Sequence, residues 1–69
     1  MKISARNILK GKVNSITGGA VNSELVIDLK GGAQIVSIIT RESVKNLGLK
    51  KGKQVYAVIK ASNVMVAVD

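Results

Sequence analysis

Three short polar stretches carry the residues of this chain that are equipped for chemistry. Ser4-Ala5-Arg6-Asn7 and Lys60-Ala61-Ser62 each set a cation and a hydroxyl beside apolar, strand-like sequence. Thr40 and Ser43 stand where a strand pattern hands over to a short helical one. Together Ser4, Arg6, Thr40, Ser43, Lys60 and Ser62 offer hydrogen-bond donors and positive charge, with no carboxylate among them. A small tetrahedral oxyanion calls for that set, because its oxygens act mainly as acceptors. Thr40 directly precedes the helical pattern and is a natural N-cap. Ser43 then falls near the third helical position, where its hydroxyl and free backbone N–H groups can face an anion.

Each stretch also has an ordinary reading. Ser4-Ala5-Arg6-Asn7 can be a solvated N-terminal arm. Lys60-Ala61-Ser62-Asn63 can be a plain turn. Thr40 can be a cap and nothing more, with Glu42 and Ser43 solvated in the first turn. The lysines Lys50, Lys51 and Lys53 read as an exposed turn.

Other chemistries lack their residues. The chain has no His and no Cys, so no nucleophile–base pair of the usual kind can be assembled and no disulfide can form. A structural zinc site is not expected either. The four acids, Glu24, Asp28, Glu42 and Asp69, show no close-paired spacing. Gly18-Gly19-Ala20 lacks the Gly-Lys-Ser/Thr pattern of a phosphate loop. No catalytic residue, metal ligand or cofactor is expected, and the chain does not read as an enzyme.

The elements that must position these residues are mostly strands. Ile8 to Ile16 reads as a first strand, with Gly11 inside it at a bulge or sharp bend. Thr17-Gly18-Gly19 is a turn. Val21 to Leu29 is a second strand, with Leu25, Ile27 and Leu29 on one face. Lys30-Gly31-Gly32 is a hairpin connection. Gln34 to Thr40 is a third strand, apolar on both faces. Arg41 to Leu47 can form two helical turns with Val44 and Leu47 buried, and Gly48 is placed at C′. Val55 to Lys60 and Val64 to Val68 are a fourth and a fifth strand. The fold class expected is all-β: a five-stranded OB-like Greek-key barrel with one short helix between strands 3 and 4.

With 69 residues the chain reads as one domain, small enough to be marginally stable alone. Without disulfide or metal, the remaining remedy is oligomerisation. An apolar content of 46%, in strands apolar on both faces, fits a subunit interface. No stretch approaches a membrane-spanning helix, and the N-terminus lacks a signal-peptide apolar core, so a cytoplasmic protein is expected. The net charge of +7 points to an anionic partner.

Read whole, the sequence resembles the Mop, or molbindin, family of molybdate-binding proteins. The opening Ser4-Ala5-Arg6-Asn7-Ile8-Leu9-Lys10-Gly11-Lys12-Val13 carries the likeness, as do the block Ser37-Ile38-Ile39-Thr40-Arg41-Glu42-Ser43-Val44 and the ending Ala57-Val58-Ile59-Lys60-Ala61-Ser62-Asn63-Val64-Met65. It covers essentially the whole chain, residues 1–69. The resemblance implies an OB-like fold, a hexamer built as a trimer of dimers, and binding of molybdate or tungstate between subunits. Ser4 and Arg6 would come from one chain. Thr40, Ser43, Lys60, Ala61 through its backbone N–H, and Ser62 would come from another. A second kind of site near a threefold axis is implied, with the turn Ala20-Val21-Asn22 as its candidate.

Two further readings stand beside this one. An OB-fold single-stranded nucleic-acid binder suits the charge and the fold, but such binders stack bases on aromatic side chains. Tyr56 is the one aromatic here. A purely structural oligomerising module leaves Arg6 and Lys60 without a role.

Overall fold

The computed structural model describes Met1–Asp69. Its elements are β1 (Asn7–Gly18), β2 (Asn22–Leu29), β3 (Gln34–Thr40), α1 (Arg41–Asn46), β4 (Gln54–Ile59) and a 3-10 turn over Ala61–Asn63. The strands form one antiparallel sheet in the order β3-β2-β1-β4. No helix is long and apolar enough to cross a membrane.

β1 is the spine. Its first half, Asn7–Lys12, pairs with β4, and Gly11–Gly18 pairs with β2. A long strand shared this way must coil, and a bulge lets it. The register slips between Val13 and Ser15, so Asn14 is the bulged residue and sharpens the local twist. The bulge therefore lies three residues beyond Gly11, where the sequence pattern had put it. Gly11 answers a different need. A Cβ there would sit 2.5 Å from the Asp28 carbonyl oxygen and 2.8 Å from Ile27 Cγ2. Backbone cannot swing aside as a side-chain tip can, so Gly11→Ala forces the sheet apart. We expect a loss of about 1–3 kcal/mol, the usual cost of overpacking, read as a lowered urea midpoint.

Leu25 and Ile27 alternate inward along β2 and meet Val13 of β1 and Ala57 of β4. Those four are the whole fully buried apolar core, with Ser23 as its polar neighbour. Leu29, expected on the same face, is half-buried. The Lys30-Gly31-Gly32 hairpin forms as expected. Gly31 and Gly32 take φ of 90° and 94°, values that an L side chain rarely adopts.

The helix ends follow the sequence closely. Thr40 caps the start of α1, its Oγ1 accepting from the Ser43 N–H at 3.0 Å. At the far end Gly48, φ 62°, is the C′ residue. Its N–H donates to Lys45 O, and the Leu49 N–H donates to Val44 O, the paired bonds of a Schellman motif. Lys53 Nζ donates to the Leu47 and Gly48 carbonyls, putting a cation at the negative end of the helix. Val44 is half-buried, but Leu47 is exposed and serves as the C-cap rather than as part of a buried stripe.

One expected element is missing. Val64–Val68 does not form a fifth strand within this chain, and the sheet has four strands. Val64 is extended, at φ −90° and ψ 121°, so the backbone has the right local conformation. A strand also needs a ladder partner, and no strand of the same chain pairs with this segment. The β-branched alternation that marks it as a strand carries no information about whose strand it joins.

Candidate functional site

The oxyanion-binding candidates fall into two groups at opposite ends of β1. The first forms where β1 begins. Asn7 pairs with Ile59, and its Nδ2 donates to the Ile59 carbonyl at 3.3 Å. This ties the N-terminal segment against the end of β4. The chain then turns sharply: the Asn63 N–H donates to Lys60 O at 2.9 Å and the Val64 N–H to Ala61 O at 3.2 Å. Ser4, Arg6, Lys60, Ala61 and Ser62 thereby line one concavity of about 580 Å³, with Ile3, Ala5, Val58 and Asn63. Arg6 and Lys60 supply its charge and Ser4 and Ser62 its hydroxyls. No carboxylate lines it. All four of these side chains are exposed.

The second group forms where β3 runs into α1. Thr40 and Ser43 meet through their side chains, Thr40 Oγ1 donating to Ser43 Oγ at 2.8 Å. Thr40 Oγ1 is also occupied as an acceptor by the cap bond. The proton left to offer outward is therefore that of Ser43, which the cap arrangement aims rather than consumes. Thr40 borders a hollow of about 690 Å³ that Ala20, Val21, Arg41, Glu42, Lys45 and Asn46 share. Asn22 lies alongside, paired with Thr40. The turn Ala20-Val21-Asn22, the candidate for the second kind of site, is thus a neighbour of Thr40.

Arg41 is a further cation of this hollow, outside the donor set expected from the sequence. Its backbone N–H donates to Val21 O at 2.8 Å and its Nη1 to Ala20 O at 3.4 Å, so it pins the turn to the helix start. The available signal was its position, a cation immediately following the cap residue.

The two groups do not meet within one chain. Lys60 follows β4 beside the first residue of β1, whereas Thr40 pairs with Asn22, past the last residue of β1. β3 and β4 are opposite edges of the sheet. The chain brings Ser4, Arg6, Lys60, Ala61 and Ser62 together, and leaves Thr40 and Ser43 apart from them. Tyr56 is exposed on β4, one aromatic face with no aromatic neighbour to extend it.

An open, strand-rich sheet with one short capped helix, and a concavity lined by donors and cations, is the make-up of a small β domain suited to an anion. Comparison with known proteins gives it a family. The TOBE domain profile matches residues 3–66. The chain is 54% identical over its full 69 residues to the full length of a "probable molybdenum-pterin-binding protein" of Haemophilus influenzae. It is 47% identical to molybdenum-pterin-binding protein 3 of Clostridium pasteurianum, over 96% of this chain and 97% of that protein. Among solved structures, MopII from Clostridium pasteurianum superposes with a TM-score of 0.92 at 46% identity, over 97% of this chain and all of that one. The cytoplasmic molybdate-binding protein ModG, with molybdate bound, superposes with a TM-score of 0.91 at 54% identity, over 94% of this chain and 46% of that one. The chain belongs to the TOBE domain family, in its Mop group of molybdate-binding domains.

Proposed function

We propose that this protein binds molybdate, and tungstate with it, in sites assembled between subunits of a homo-oligomer, a hexamer built as a trimer of dimers. Its role is intracellular molybdenum storage or homeostasis in the cytoplasm, as a binding domain and not a catalyst, with residues 1–69 forming the binding unit. The observation that carries this is the concavity of Ser4, Arg6, Lys60, Ala61 and Ser62, which gathers two cations and two hydroxyls and no carboxylate. Molybdate is a dianion at neutral pH. Arg6 and Lys60 neutralise it, and Ser4, Ser62 and the Ala61 N–H donate to its oxygens.

The placement of the donors favours a particular division between chains. It differs from the division the resemblance implies, because Ser4 and Arg6 already stand beside Lys60, Ala61 and Ser62 within one chain: one chain supplies all five. A neighbouring chain supplies Thr40 and Ser43, whose outward proton is that of the Ser43 hydroxyl. In the single chain these groups are wet. At an interface, water is excluded and each charge-assisted bond strengthens. A core of four buried apolar residues, with Val36 and Ile38 exposed on β3, supports the assembly that such a site requires. The turn Ala20-Val21-Asn22 is proposed as the second kind of site, where symmetry copies bring its backbone together.

Calorimetry tests the reading. Molybdate and tungstate are expected to bind, and phosphate and sulfate to bind much more weakly. Phosphate is partly protonated near neutral pH and brings a donor to a ring of donors. Sulfate is a smaller dianion and leaves gaps in a preformed site. Equal affinity for sulfate and molybdate removes the size argument, and a folded monomer by light scattering that still binds molybdate removes the intersubunit one.

A further inference from the structure

We propose that the outer face of the sheet holds a separate ligand site for a nucleoside polyphosphate, with the base on Tyr56 and the phosphates on Lys10, Lys12 and Lys30. The alternation of β1 sets this face. Gly11 and Val13 turn inward, so Lys10 and Lys12 point outward, and both are exposed. Lys12 stands across from Asp28 of β2 and from Gln54 of β4. Lys10, Lys12 and Lys30 border one hollow of about 400 Å³ together with Asp28 and Gln54. That hollow shares no residue with the concavity of Arg6 and Lys60, or with the hollow beside Thr40.

The charge of the hollow is not neutralised from within. Asp28 is its one carboxylate, and amides engage both of its oxygens. Asn14 Nδ2 donates to Oδ2 at 2.8 Å and Gln34 Nε2 donates to Oδ1 at 2.7 Å. A hollow dominated by one sign of charge concentrates anions of the other. Lysine ammonium groups are compact point charges that suit phosphate oxygens. Lys10 and Lys12 lie two residues apart on a strand, a rise of about 7 Å. A chain of phosphates covers that span, and a single small oxyanion does not.

The ring beside the hollow specifies what the phosphates are attached to. Tyr56 is the direct cross-strand partner of Lys10 on the same outer face, and it is 53% exposed. Such partners hold their Cβ atoms about 5 Å apart. The next pair along the face, Ile8 and Val58, is apolar and partly exposed, and flanks the ring. An open aromatic face at that distance from bound phosphate is a platform for a base. Binders of single strands set several rings in succession, whereas this chain has one. One ring beside three lysines fits one nucleotide and not a tract.

NMR reads the site directly, because every aromatic side-chain signal of this chain belongs to Tyr56. ATP is titrated into the full-length 13C-labelled chain without molybdate. The Tyr56 ring signals and the side-chain methylene signals of Lys10, Lys12 and Lys30 are expected to shift together, with one affinity. Adenosine and inorganic triphosphate should each bind at least about tenfold more weakly than ATP, since each keeps only part of the contacts. Tyr56→Ala should weaken ATP roughly tenfold and leave triphosphate unchanged, and Tyr56→Phe should retain ATP. Lys10→Ala, Lys12→Ala and Lys30→Ala should each weaken ATP by roughly two- to fivefold, the range for exposed charge pairs, with Lys51→Ala as the control. All of these side chains are exposed, so the variants are expected to fold. A Tyr56 ring that does not respond to ATP overturns the site, as does triphosphate binding as tightly as ATP, or Lys51→Ala costing as much as Lys12→Ala. Tighter binding of an oligothymidylate or of polyglutamate also overturns it, and makes the face a docking surface for a polymer. Arg6→Ala should bind ATP as the wild type does, so failure of this site and failure of the molybdate reading are separate results.

Discussion

Arg6→Ala is expected to lower molybdate affinity by roughly tenfold to more than a hundredfold, the value of a charge-assisted hydrogen bond at about 1.5–3 kcal/mol. Arg6 stands on a segment that would otherwise be a free arm, and the Asn7–Ile59 contact brings it to the concavity that Lys60 also lines. Arg6 is exposed in the single chain, so its substitution should leave the fold nearly unchanged, with a stability effect within about 0.5 kcal/mol. Lys60→Ala should cost a comparable amount of affinity, because it deletes the other charge. Lys51→Ala on the exposed turn is the control, and should change binding only through a weak, salt-sensitive term. Titration calorimetry of the three variants at one salt concentration reads the comparison. Equal effects from Arg6→Ala and Lys51→Ala would mean that the net charge of +7, and not the concavity, attracts the anion.

The local pieces of this architecture were legible because local physics sets them. Thr40 before a polar turn means a cap. Gly48 after Leu47 means a Schellman ending. Lys30-Gly31-Gly32 means a hairpin. Alternation gave the inward face of β2 through Leu25 and Ile27. Each of these needs only a few neighbours along the chain. What failed to show in the sequence depends on residues far apart. Gly11 looked like a bulge residue, because a glycine inside a strand has two common uses. Only the approach of the Asp28 carbonyl tells which one applies. Leu47 looked like core because it completes a helical stripe, yet a helix of only six residues ends before that stripe packs. Val64–Val68 reads as a strand by every local rule, and its partner cannot be read from its own residues. The site divides the same way. The residue types of Ser4, Arg6, Lys60 and Ser62 announced an anion, and the grouping of both segments around one concavity came from the β1–β4 register. Arg41 gives no such sign in the sequence, because its role is defined by the turn at Ala20 and Val21, twenty residues earlier.

Mixed oligomers test where each donor comes from, and the geometry now sets a pattern of recovery and non-recovery. The informative partner for Arg6→Ala is Ser43→Asp. A carboxylate at residue 43 points at the oxyanion and repels it, yet the helix cap survives, because Thr40 Oγ1 accepts from the backbone N–H of that residue. An acid in the first helical turn also suits the helix dipole. Each variant alone should bind molybdate poorly. Refolded together, chains carrying Arg6→Ala still offer an intact Thr40–Ser43 pair, and chains carrying Ser43→Asp still offer an intact Arg6–Lys60 concavity. Where an intact face of each kind meets, a whole site forms, and random pairing across symmetric interfaces makes about a quarter of the sites whole. Calorimetry should then return binding at close to wild-type affinity with a reduced stoichiometry. Arg6→Ala mixed with Lys60→Ala should recover nothing, since both charges belong to one concavity of one chain and every concavity lacks one of them. The reverse pattern would place Arg6 and Lys60 on different chains. It would mean that the concavity seen in the single chain is rebuilt on assembly, with Lys60, Ala61 and Ser62 turned toward the N-terminal segment of a neighbour.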